Sequence, residues 1–307
     1  MLLSVIVTTY NRPDALAAVL EGLLAQRDAE PASSGALGAS SLRFEALVAD
    51  DGSGEPTREL VESFRPRFRG ALEHVWHEDA GFRAGAIRNR AAAKSRGDLL
   101  VFLDGDCIPR TRFVAAHARA ARPRSMMRGS RALLSEPFTN RVLAERLPLH
   151  DRSAASWIRA RLRGEVNRVS GLIALPWSRT VGAARREWRG VRTCNLAVWR
   201  TDFERLNGFD ERFVGWGYED SDLAIRGLND GVLVRRTGPE CTVLHLWHRE
   251  NDRRFEGENL ARLEATRRSG AVRAPIGLAE GGVTSAARDA GSVRNPDANR
   301  AEQPRHA

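Results

Sequence analysis

Two aspartates one residue apart follow a hydrophobic run in this chain of 307 residues. Residues 99–103 have the composition of a strand covered on both faces, and Asp104 and Asp106 come directly after it. Side chains at alternate positions of an extended chain point the same way. Two ionised carboxylates placed like this repel each other unless a cation lies between them. The spacing therefore predicts a divalent metal site, with a polar turn of Asp and Gly as the alternative.

Strand and helix patterns alternate through the first 104 residues. Period and composition predict strands at residues 3–8, 44–49, 72–76 and 99–103, with helices at 13–26, 59–64 and 84–96. Strands joined by helices of this length form a mainly parallel sheet, and ligands bind at the carboxyl ends of such strands. The motifs TTYN, ADDGS and LDGD each stand at a strand end. One crevice should therefore collect Thr8, Tyr10, Asp51, Asp104 and Asp106.

Acidic and histidine-containing motifs stand in the C-terminal half. Residues 216–222 read WGYEDSD, and a strand-like stretch ends in HLWH at residues 245–248. A carboxylate can take the proton of an attacking hydroxyl group, and imidazole can bind a metal ion. The alternatives are a helix N-terminus, where Glu219, Asp220 and Asp222 would favour the helix dipole, and a polar patch containing the histidines.

Four motifs, taken in order, resemble a known enzyme family. They are SVIVTTYNR, VADDGS, GAIRNRAAAKSRGDLLVFLDGD and NGFDERFVGWGYEDSDLAIR, and together they are similar to the inverting glycosyltransferases of family 2. The last motif, with HLWH after it, resembles the carboxyl-terminal catalytic segment of the β-1,4-galactosyltransferases and polypeptide N-acetylgalactosaminyltransferases. The resemblance covers about residues 2–110 and 191–250. It implies an α/β GT-A (Rossmann-like) fold, with a mainly parallel sheet flanked by helices in a single large domain.

The resemblance also implies a donor site for a UDP-sugar. In the family, the residues matching Thr8, Tyr10 and Asp51 hold the nucleobase. Arg88 matches a position near the donor, where a guanidinium can bind the diphosphate with two parallel hydrogen bonds. Asp104 matches the first position of the DxD motif, which meets the ribose.

A divalent cofactor, Mn or Mg, is the next implication of the resemblance. Asp106 matches the metal-binding position of the DxD motif, and His245 and His248 match positions that complete the metal's ligands in the galactosyltransferases. His245 stands where that pattern has a sulfur ligand, so His248 is the closer match. Mixed imidazole and carboxylate ligands favour Mn over Mg.

The resemblance places the general base at Asp220, with Glu219 beside it for the acceptor and Trp216 as a platform for a sugar face. The expected activity is inverting transfer of a sugar from a UDP-sugar to a glycan or lipid-linked acceptor, in the synthesis of bacterial surface polysaccharide. A glycosidase also uses paired carboxylates, but it needs no nucleotide-binding motifs. The other alternative is a non-catalytic scaffold on a membrane surface that keeps a nucleotide-sugar fold.

Positive charge is concentrated in the middle of the chain. The net charge is +9, yet residues 107–190 alone hold 18 Arg against 5 Asp and Glu. Such a segment suits an anionic membrane, a phosphorylated ligand or a solvated face, and it lacks the motifs of nucleic-acid binding. We predict a nucleotide-sugar half at residues 1–110, an Arg-rich insert at 111–190, an acceptor and catalytic half at 191–266 and a disordered tail at 267–307.

Three cysteines, Cys107, Cys194 and Cys241, show no CxxC spacing. The chain also shows neither a signal peptide nor an apolar run of about 20 residues that could span a bilayer. These patterns predict a cytoplasmic enzyme, either free or peripheral on the inner face of the cell membrane.

Overall fold

The computed structural model describes residues 1–31, 42–173, 182–250 and 252–279. Its strands are β1 (Leu2–Thr9), β2 (Glu30–Pro31), β3 (Arg43–Asp50), β4 (Leu72–Trp76), β5 (Leu99–Asp104), β6 (Cys107–Ile108), β7 (Ser125–Arg128), β8 (Arg131–Leu133), β9 (Asn195–Trp199), β10 (Leu233–Arg236) and β11 (Val243–His245). Its α-helices are α1 (Pro13–Leu24), α2 (Glu55–Phe64), α3 (Ala84–Lys94), α4 (Phe113–Ala120), α5 (Glu136–Glu145), α6 (Ala154–Leu162), α7 (Arg200–Arg205), α8 (Glu219–Asn229) and α9 (Glu256–Ser269). Within these ranges, every helix is too short or too polar to cross a membrane.

Eight of the strands form one mainly parallel sheet. Its order is β10, β7, β9, β5, β1, β3 and β2, and β4 also pairs with β3. Strand β1 runs parallel to β3 and β5, whereas β9 runs antiparallel to β5 and β7. The predicted α/β architecture with a mainly parallel sheet is confirmed.

Hydrophobic clusters cover both faces of this sheet. In β5, Leu99, Val101 and Leu103 belong to one cluster, and Leu100 and Phe102 belong to the other. Helix α1 packs into the first cluster, while α3 and α8 contribute to the second. Because side chains alternate along a strand, a strand covered on both faces must be apolar throughout. This explains the continuous hydrophobic runs of β1 and β5.

The parallel register brings three strand ends to one edge of the sheet. Thr8 lies opposite Ala49 on β3 and Asp104 on β5, and Thr9 lies opposite Asp50. The motifs TTYN, ADDGS and LDGD therefore meet at this edge, as their positions after strands predict.

A three-stranded sheet carries the histidine motif to the same region. Strand β11 lies between β6 and β8, and His245 pairs with Cys107. The backbone N–H of Leu246 also donates to the carbonyl oxygen of Asp106 at 2.9 Å. Backbone pairing thus places a segment from far along the chain beside the second aspartate of the DxD motif.

The Arg-rich region at residues 111–190 is more integrated than the word insert implies. It contains α4, β7, β8, α5 and α6, and β7 is an inner strand of the large sheet. Its residues 174–181 lie outside the described residues, as do residues 32–41 between β2 and β3.

The predicted start of a disordered tail at residue 267 needs correction. Helix α9 continues to Ser269, and beyond it the N–H of Ala274 donates to the carbonyl of Leu206 at 3.0 Å. Backbone hydrogen bonds hold this segment although it has few large apolar side chains, which is why composition alone suggested disorder. Residues 280–307 lie outside the described residues.

Candidate active site

One buried arginine joins three of the predicted site residues. Arg88, on helix α3, is only 4% exposed. Its Nε donates to Thr8 Oγ1 at 2.9 Å, its Nη1 to Glu219 Oε1 at 3.1 Å and its Nη2 to Asp104 Oδ1 at 3.0 Å. Two carboxylates compensate the buried positive charge. Arg88 therefore ties the strand ends of the N-terminal half to the acidic motif of the C-terminal half.

Asp106 lies close to both histidines of the HLWH motif. Its Oδ1 is 3.7 Å from His245 Nε2 and its Oδ2 is 3.5 Å from His248 Nε2. Burial lowers the pKa of His245 and favours the neutral imidazole that binds metals. The Nδ1 of His248 is 2.6 Å from the carbonyl oxygen of Arg249, which leaves Nε2 for a metal.

Each of the two histidines is close enough to Asp106 for one ion to contact both groups of that pair, because a metal bond to oxygen or nitrogen is about 2.1 Å long and the pairs are 3.5–3.7 Å apart. In the described residues, the compact group of possible ligand atoms that contains Asp106 consists of Asp106, Cys107 and His245, so His248 must move closer to His245 to share an ion with it. Carboxylate and imidazole ligands suit Mn²⁺ in particular. The structure therefore brings Asp106 near both histidines, and their role as metal ligands and the identity of the ion stay predictions.

Helix α8 begins at the acidic motif after a loop with unusual backbone angles. Gly215, Gly217 and Tyr218 have φ values of 75°, 108° and 73°, a left-handed region that costs a tyrosine about 1 kcal/mol or more. Asp220 is 8% exposed, and Ser221 Oγ donates to its Oδ1 at 3.1 Å. The motif therefore does form a helix N-terminus, as its alternative role predicts, and its catalytic role stays a prediction.

The two carboxylates at the start of α8 differ in their surroundings. Burial and the nearby charge of Asp220 raise the pKa of Glu219 to about 7, although Arg88 acts against this rise. Asp222, two residues further on, has a structural role because its carboxylate binds Arg226 and Thr266 at 2.7 Å each. The motif therefore offers Glu219 and Asp220 for chemistry.

The predicted nucleobase residues lie at the other end of the strand edge. Asp51 accepts a hydrogen bond from the N–H of Arg83 at 2.8 Å and lies 2.7 Å from His77 Nε2. Tyr10 is 47% exposed, and its hydroxyl donates to Asp79 at 2.9 Å. An exposed ring beside a fixed carboxylate can stack on a nucleobase, while the carboxylate accepts hydrogen bonds from the N–H groups of that base.

Sequence reasoning missed three residues that support these groups. His77 and Asp79 hold Asp51 and Tyr10, and Cys107 Sγ donates to Asp106 Oδ1 at 3.4 Å. Burial raises the pKa of the Cys107 thiol well above its usual range, so it remains a neutral donor. Its position directly after the DxD motif was the only signal in the sequence for this contact.

A cavity of about 740 Å³ brings many of the predicted groups together, although Thr8, Tyr10, Asp51 and Asp106 are not among its lining residues. Three tryptophans, Trp188, Trp216 and Trp247, line it, and the guanidinium carbon of Arg253 lies 4.6 Å from the centre of the Trp216 ring. Such flat apolar surfaces suit the faces of sugar rings. Its walls also include seven of the predicted site residues: Arg88, Asp104, Trp216, Glu219, Asp220, His245 and His248.

Family models match both halves of this site. The model described as glycosyl transferase family 2 matches residues 4–126. The model described as the N-terminal domain of galactosyltransferase matches residues 181–249, which include the acidic and histidine motifs. The resemblance to glycosyl transferase family 2 is confirmed. So is the galactosyltransferase-like character of the C-terminal segment.

Known relatives agree with this result. Validoxylamine A glucosyltransferase of Streptomyces hygroscopicus subsp. limoneus is 31% identical over 235 residues, which cover 73% of this chain and 47% of the relative. Hyaluronan synthase of Pasteurella multocida is 25% identical, over 76% of this chain and 23% of the relative. The chain thus spans about half, or less, of the length of these relatives.

Solved structures share the fold. The crystal structure of residues 1–349 of TarS from S. aureus superposes with a TM-score of 0.58 at 14% sequence identity, covering 92% of this chain and 68% of that one. A further structure of the same TarS segment is a complex with UDP-GlcNAc. The GT-A fold predicted from the sequence is therefore confirmed.

Proposed function

We propose that this protein is an inverting, metal-dependent glycosyltransferase that moves a hexose from a UDP-sugar to a glycan or lipid-linked acceptor. The observation that carries the proposal is the shared cavity, in which the end of β5, the HLWH histidines and the start of α8 meet. The match of family 2 to the first of these elements and of galactosyltransferase to the other two supports the same reaction.

The proposed reaction is a direct displacement at the anomeric carbon of the donor sugar. Asp220 accepts the proton of the acceptor hydroxyl while that oxygen bonds to the anomeric carbon. The bond from this carbon to the phosphate oxygen breaks, and UDP leaves with the electron pair. Because the acceptor attacks from the face opposite UDP, the product has inverted stereochemistry.

The other residues bind and orient the substrates. Asp106, His245 and His248 would hold a divalent cation, which supplies countercharge for the departing diphosphate. The guanidinium of Arg88 adds positive charge for the same phosphates. Asp104 accepts hydrogen bonds from the ribose hydroxyl groups. Glu219 lies beside the base, where its carboxylate accepts a hydrogen bond from a second hydroxyl group of the acceptor.

The ring of Trp216, against which the guanidinium of Arg253 stacks, offers an apolar surface on which the acceptor sugar can pack. At the opposite end of the donor, Thr8, Tyr10 and Asp51 form the slot proposed for the uracil. Asp51 is 3% exposed and already bound to two neighbours, so its orientation is fixed before the base arrives.

The two alternatives have less support. A glycosidase needs two carboxylates but neither a nucleotide slot nor a pair of histidines beside an aspartate. A membrane scaffold gives no reason for a buried carboxylate with a pKa of about 7 beside Asp220. Synthesis of surface polysaccharide and peripheral binding to the cell membrane remain proposals based on the sequence.

Thermal unfolding with UDP and MnCl2 tests the proposal. UDP together with Mn²⁺ at about 100 times the dissociation constant should stabilise the protein by about 2.7 kcal/mol, or about 5 °C in Tm. Asp106→Asn should lose the Mn-dependent part of this shift. Absence of any shift with UDP, under Mn²⁺ or Mg²⁺, would contradict the proposal.

A second variant separates binding from chemistry. Asp220→Asn should keep the UDP and Mn²⁺ shift and lose about 10²-fold to 10⁴-fold in the rate of transfer from UDP-sugars. Asp14→Asn, an exposed aspartate at the start of α1, is the control that should change neither. If Asp220→Asn abolishes the shift as well, Asp220 binds the donor and is not the base.

A further inference from the structure

A cluster of arginines lies beside the proposed acceptor region. Arg128, Arg185, Arg192 and Arg236, the arginine cluster, have no carboxylate oxygen within 4.0 Å among the residues that the structure describes. The electrostatic effect of this arrangement is visible at its centre. Burial and the positive charges of Arg236, Arg185 and Arg192 lower the pKa of Arg128, and Glu187 opposes them only in part. Four like charges at one place destabilise the protein unless an anion joins them.

The arginine cluster lies in a concavity rather than on a convex surface. Arg128, Arg185 and Arg236 line a pocket of about 330 Å³, and the other lining residues are Gly182, Ala183, Glu187, Val234 and Thr237. The single carboxylate, Glu187, leaves these described lining residues with an excess of positive charge. A pocket of this size is large enough for a phosphate group and part of the molecule that carries it.

This pocket adjoins the active-site cavity through contacts of Arg128 with residues that line that cavity. The Nη1 of Arg128 donates to the carbonyl oxygen of Arg189 at 2.8 Å, and Arg189, Gly190 and Arg192 line the larger cavity. Arg128 also packs so tightly against Gly190 that a Cβ atom there would lie 2.2 Å from the Arg128 Nη1. A molecule whose sugar reaches Asp220 can therefore extend along residues 189–192 to the arginine cluster.

We infer that the acceptor carries phosphate, and that the arginine cluster binds this phosphate while the acceptor sugar lies against Asp220. The inference rests on the proposed function. Guanidinium groups bind phosphate with paired hydrogen bonds, and a phosphate brings up to two negative charges to a site with four positive ones. A carboxylate brings one charge, so phosphate matches the cluster better.

A membrane surface explains the cluster less well. Binding to anionic lipid is strengthened by apolar side chains that enter the headgroup region. In the described chain such side chains accompany arginines on helix α6, where Ile158 and Leu162 are 47% and 82% exposed next to Arg161 and Arg163. Among the described residues that line the pocket of the arginine cluster, none is a large hydrophobic residue with an exposed side chain.

Calorimetric titration with phosphate compounds tests the inference. The full chain, without added metal and in 150 mM NaCl, is titrated with short-chain polyphosphate, geranyl diphosphate and inorganic pyrophosphate. The variant Arg185→Gln/Arg236→Gln should bind the preferred probe at least tenfold more weakly. Arg161→Gln/Arg163→Gln, the matched control at the C-terminal end of α6, should bind it like the unaltered protein.

The probes distinguish two sources of phosphate. Tighter binding of geranyl diphosphate than of pyrophosphate supports a lipid-linked acceptor, and tighter binding of polyphosphate supports a phosphate-containing polymer. Equal losses in the two double variants, or no saturable binding of any probe, would overturn the inference. So would loss of sedimentation with phosphatidylglycerol vesicles in Arg185→Gln/Arg236→Gln while its affinity for the phosphate probes stays unchanged, since the cluster would then serve a membrane.

The UDP and Mn²⁺ thermal shift is measured in parallel on the same proteins. Both double variants should keep this shift, because none of the four substituted arginines lines the cavity that contains the proposed metal ligands His245 and His248. A missing shift in the unaltered protein contradicts the proposed function. A normal shift with no probe binding contradicts only the phosphate inference.

Discussion

At the scale of single residues, the geometry of Arg88 leads to a sharp expectation. Its planar group serves three acceptors on three different elements at 2.9–3.1 Å, and a lysine ammonium cannot reproduce that fork. Loss of even one charge-assisted hydrogen bond costs about 1.5–3 kcal/mol. Arg88→Lys should therefore lower kcat/KM by about 100-fold and also lower Tm.

The matched control for this variant lies on the same helix. Arg90→Lys should change kcat/KM less than about twofold, in keeping with the small effect of most surface substitutions. Steady-state kinetics and thermal melts of both variants provide the measurement. Similar losses in the two variants would show that α3 tolerates no lysine and that Arg88 has no special role.

The pKa of Glu219 predicts a dependence of stability on pH. Since its pKa rises from 4.5 to about 7 on folding, the folded chain holds this proton more tightly than the unfolded chain. The contribution of Glu219 to the free energy of unfolding therefore falls as pH rises from about 4.5 to 7. Glu219→Gln removes this effect, so the variant should gain stability relative to the unaltered protein across that window.

Urea unfolding at pH 5, 6, 7 and 8 measures the difference between the two proteins. The difference should grow up to about pH 7 and then level off. Glu258→Gln, on the exposed face of α9, serves as the control with a constant difference. A constant difference for Glu219→Gln would mean that its carboxyl group has the same pKa in the folded and unfolded chains.

Individual contacts at the site were only partly predictable. Asp104 and Asp106 were identifiable because a buried strand fixes where its end lies and which way alternate side chains point. Two other pairings were not predictable, namely Asp51 with His77 and Tyr10 with Asp79. These partners are 26 and 69 residues apart in sequence, and loop geometry decides whether they meet. Motif spacing contains no information about such contacts.

At the scale of elements, helix α9 holds the loop that carries Trp216. Asn259 is fully buried, and its Nδ2 donates to the carbonyls of Val214 at 3.0 Å and Trp216 at 3.4 Å. Phe255, just before the helix, packs so closely on Gly215 that a Cβ atom there would lie 2.5 Å from its ring. The loop therefore depends on α9 for its position.

Asn259→Ala tests this dependence. The variant should lose about 1–3 kcal/mol of stability, because two buried carbonyl groups lose a donor, and its KM for acceptor should rise several-fold. The UDP and Mn²⁺ thermal shift should remain. Leu260→Ala, an exposed neighbour on the same helix, should change neither kinetics nor stability by much, and an equal rise of KM in both variants would argue against a positioning role for Asn259.

The elements themselves were predictable in proportion to their burial. Strands β1, β3 and β5 are mostly apolar on both faces, with Ser4 and Glu45 as buried exceptions in β1 and β3, and this composition identifies them in the sequence. Helix α9 escaped prediction because it buries only Asn259, Leu263 and Thr266, which leaves almost no helical hydrophobic period. Likewise, β7 is four residues long and stands among arginines, so only its pairing with β9 and β10 reveals it.

At the scale of the whole molecule, strands from distant parts of the chain alternate in one sheet. β9 lies between β5 and β7, and β7 pairs with β10, so the nucleotide-sugar and catalytic halves share a continuous hydrophobic core. Halves that share a sheet cannot unfold separately without exposing it. The predicted boundaries at residues 110 and 190 therefore do not separate folding units.

The segment after α9 completes this shared fold, and shortening the chain tests how much it contributes. Within residues 270–279, Ala274 and Leu278 donate to the carbonyls of Leu206 and Asn207 at 3.0 Å each, and the side chain of Asn207 donates back to Ala274 at 2.9 Å. Leu206 and Asn207 precede the loop that carries the acidic motif. A chain that ends at Ser269 should thus lose several degrees of Tm, at about 2 °C per kcal/mol for a protein of this size, and part of its transfer activity. A chain that ends at Ala279 keeps these contacts and should match the full-length protein in Tm and in transfer rate, whereas equal losses in both would place the stabilising contacts beyond residue 279.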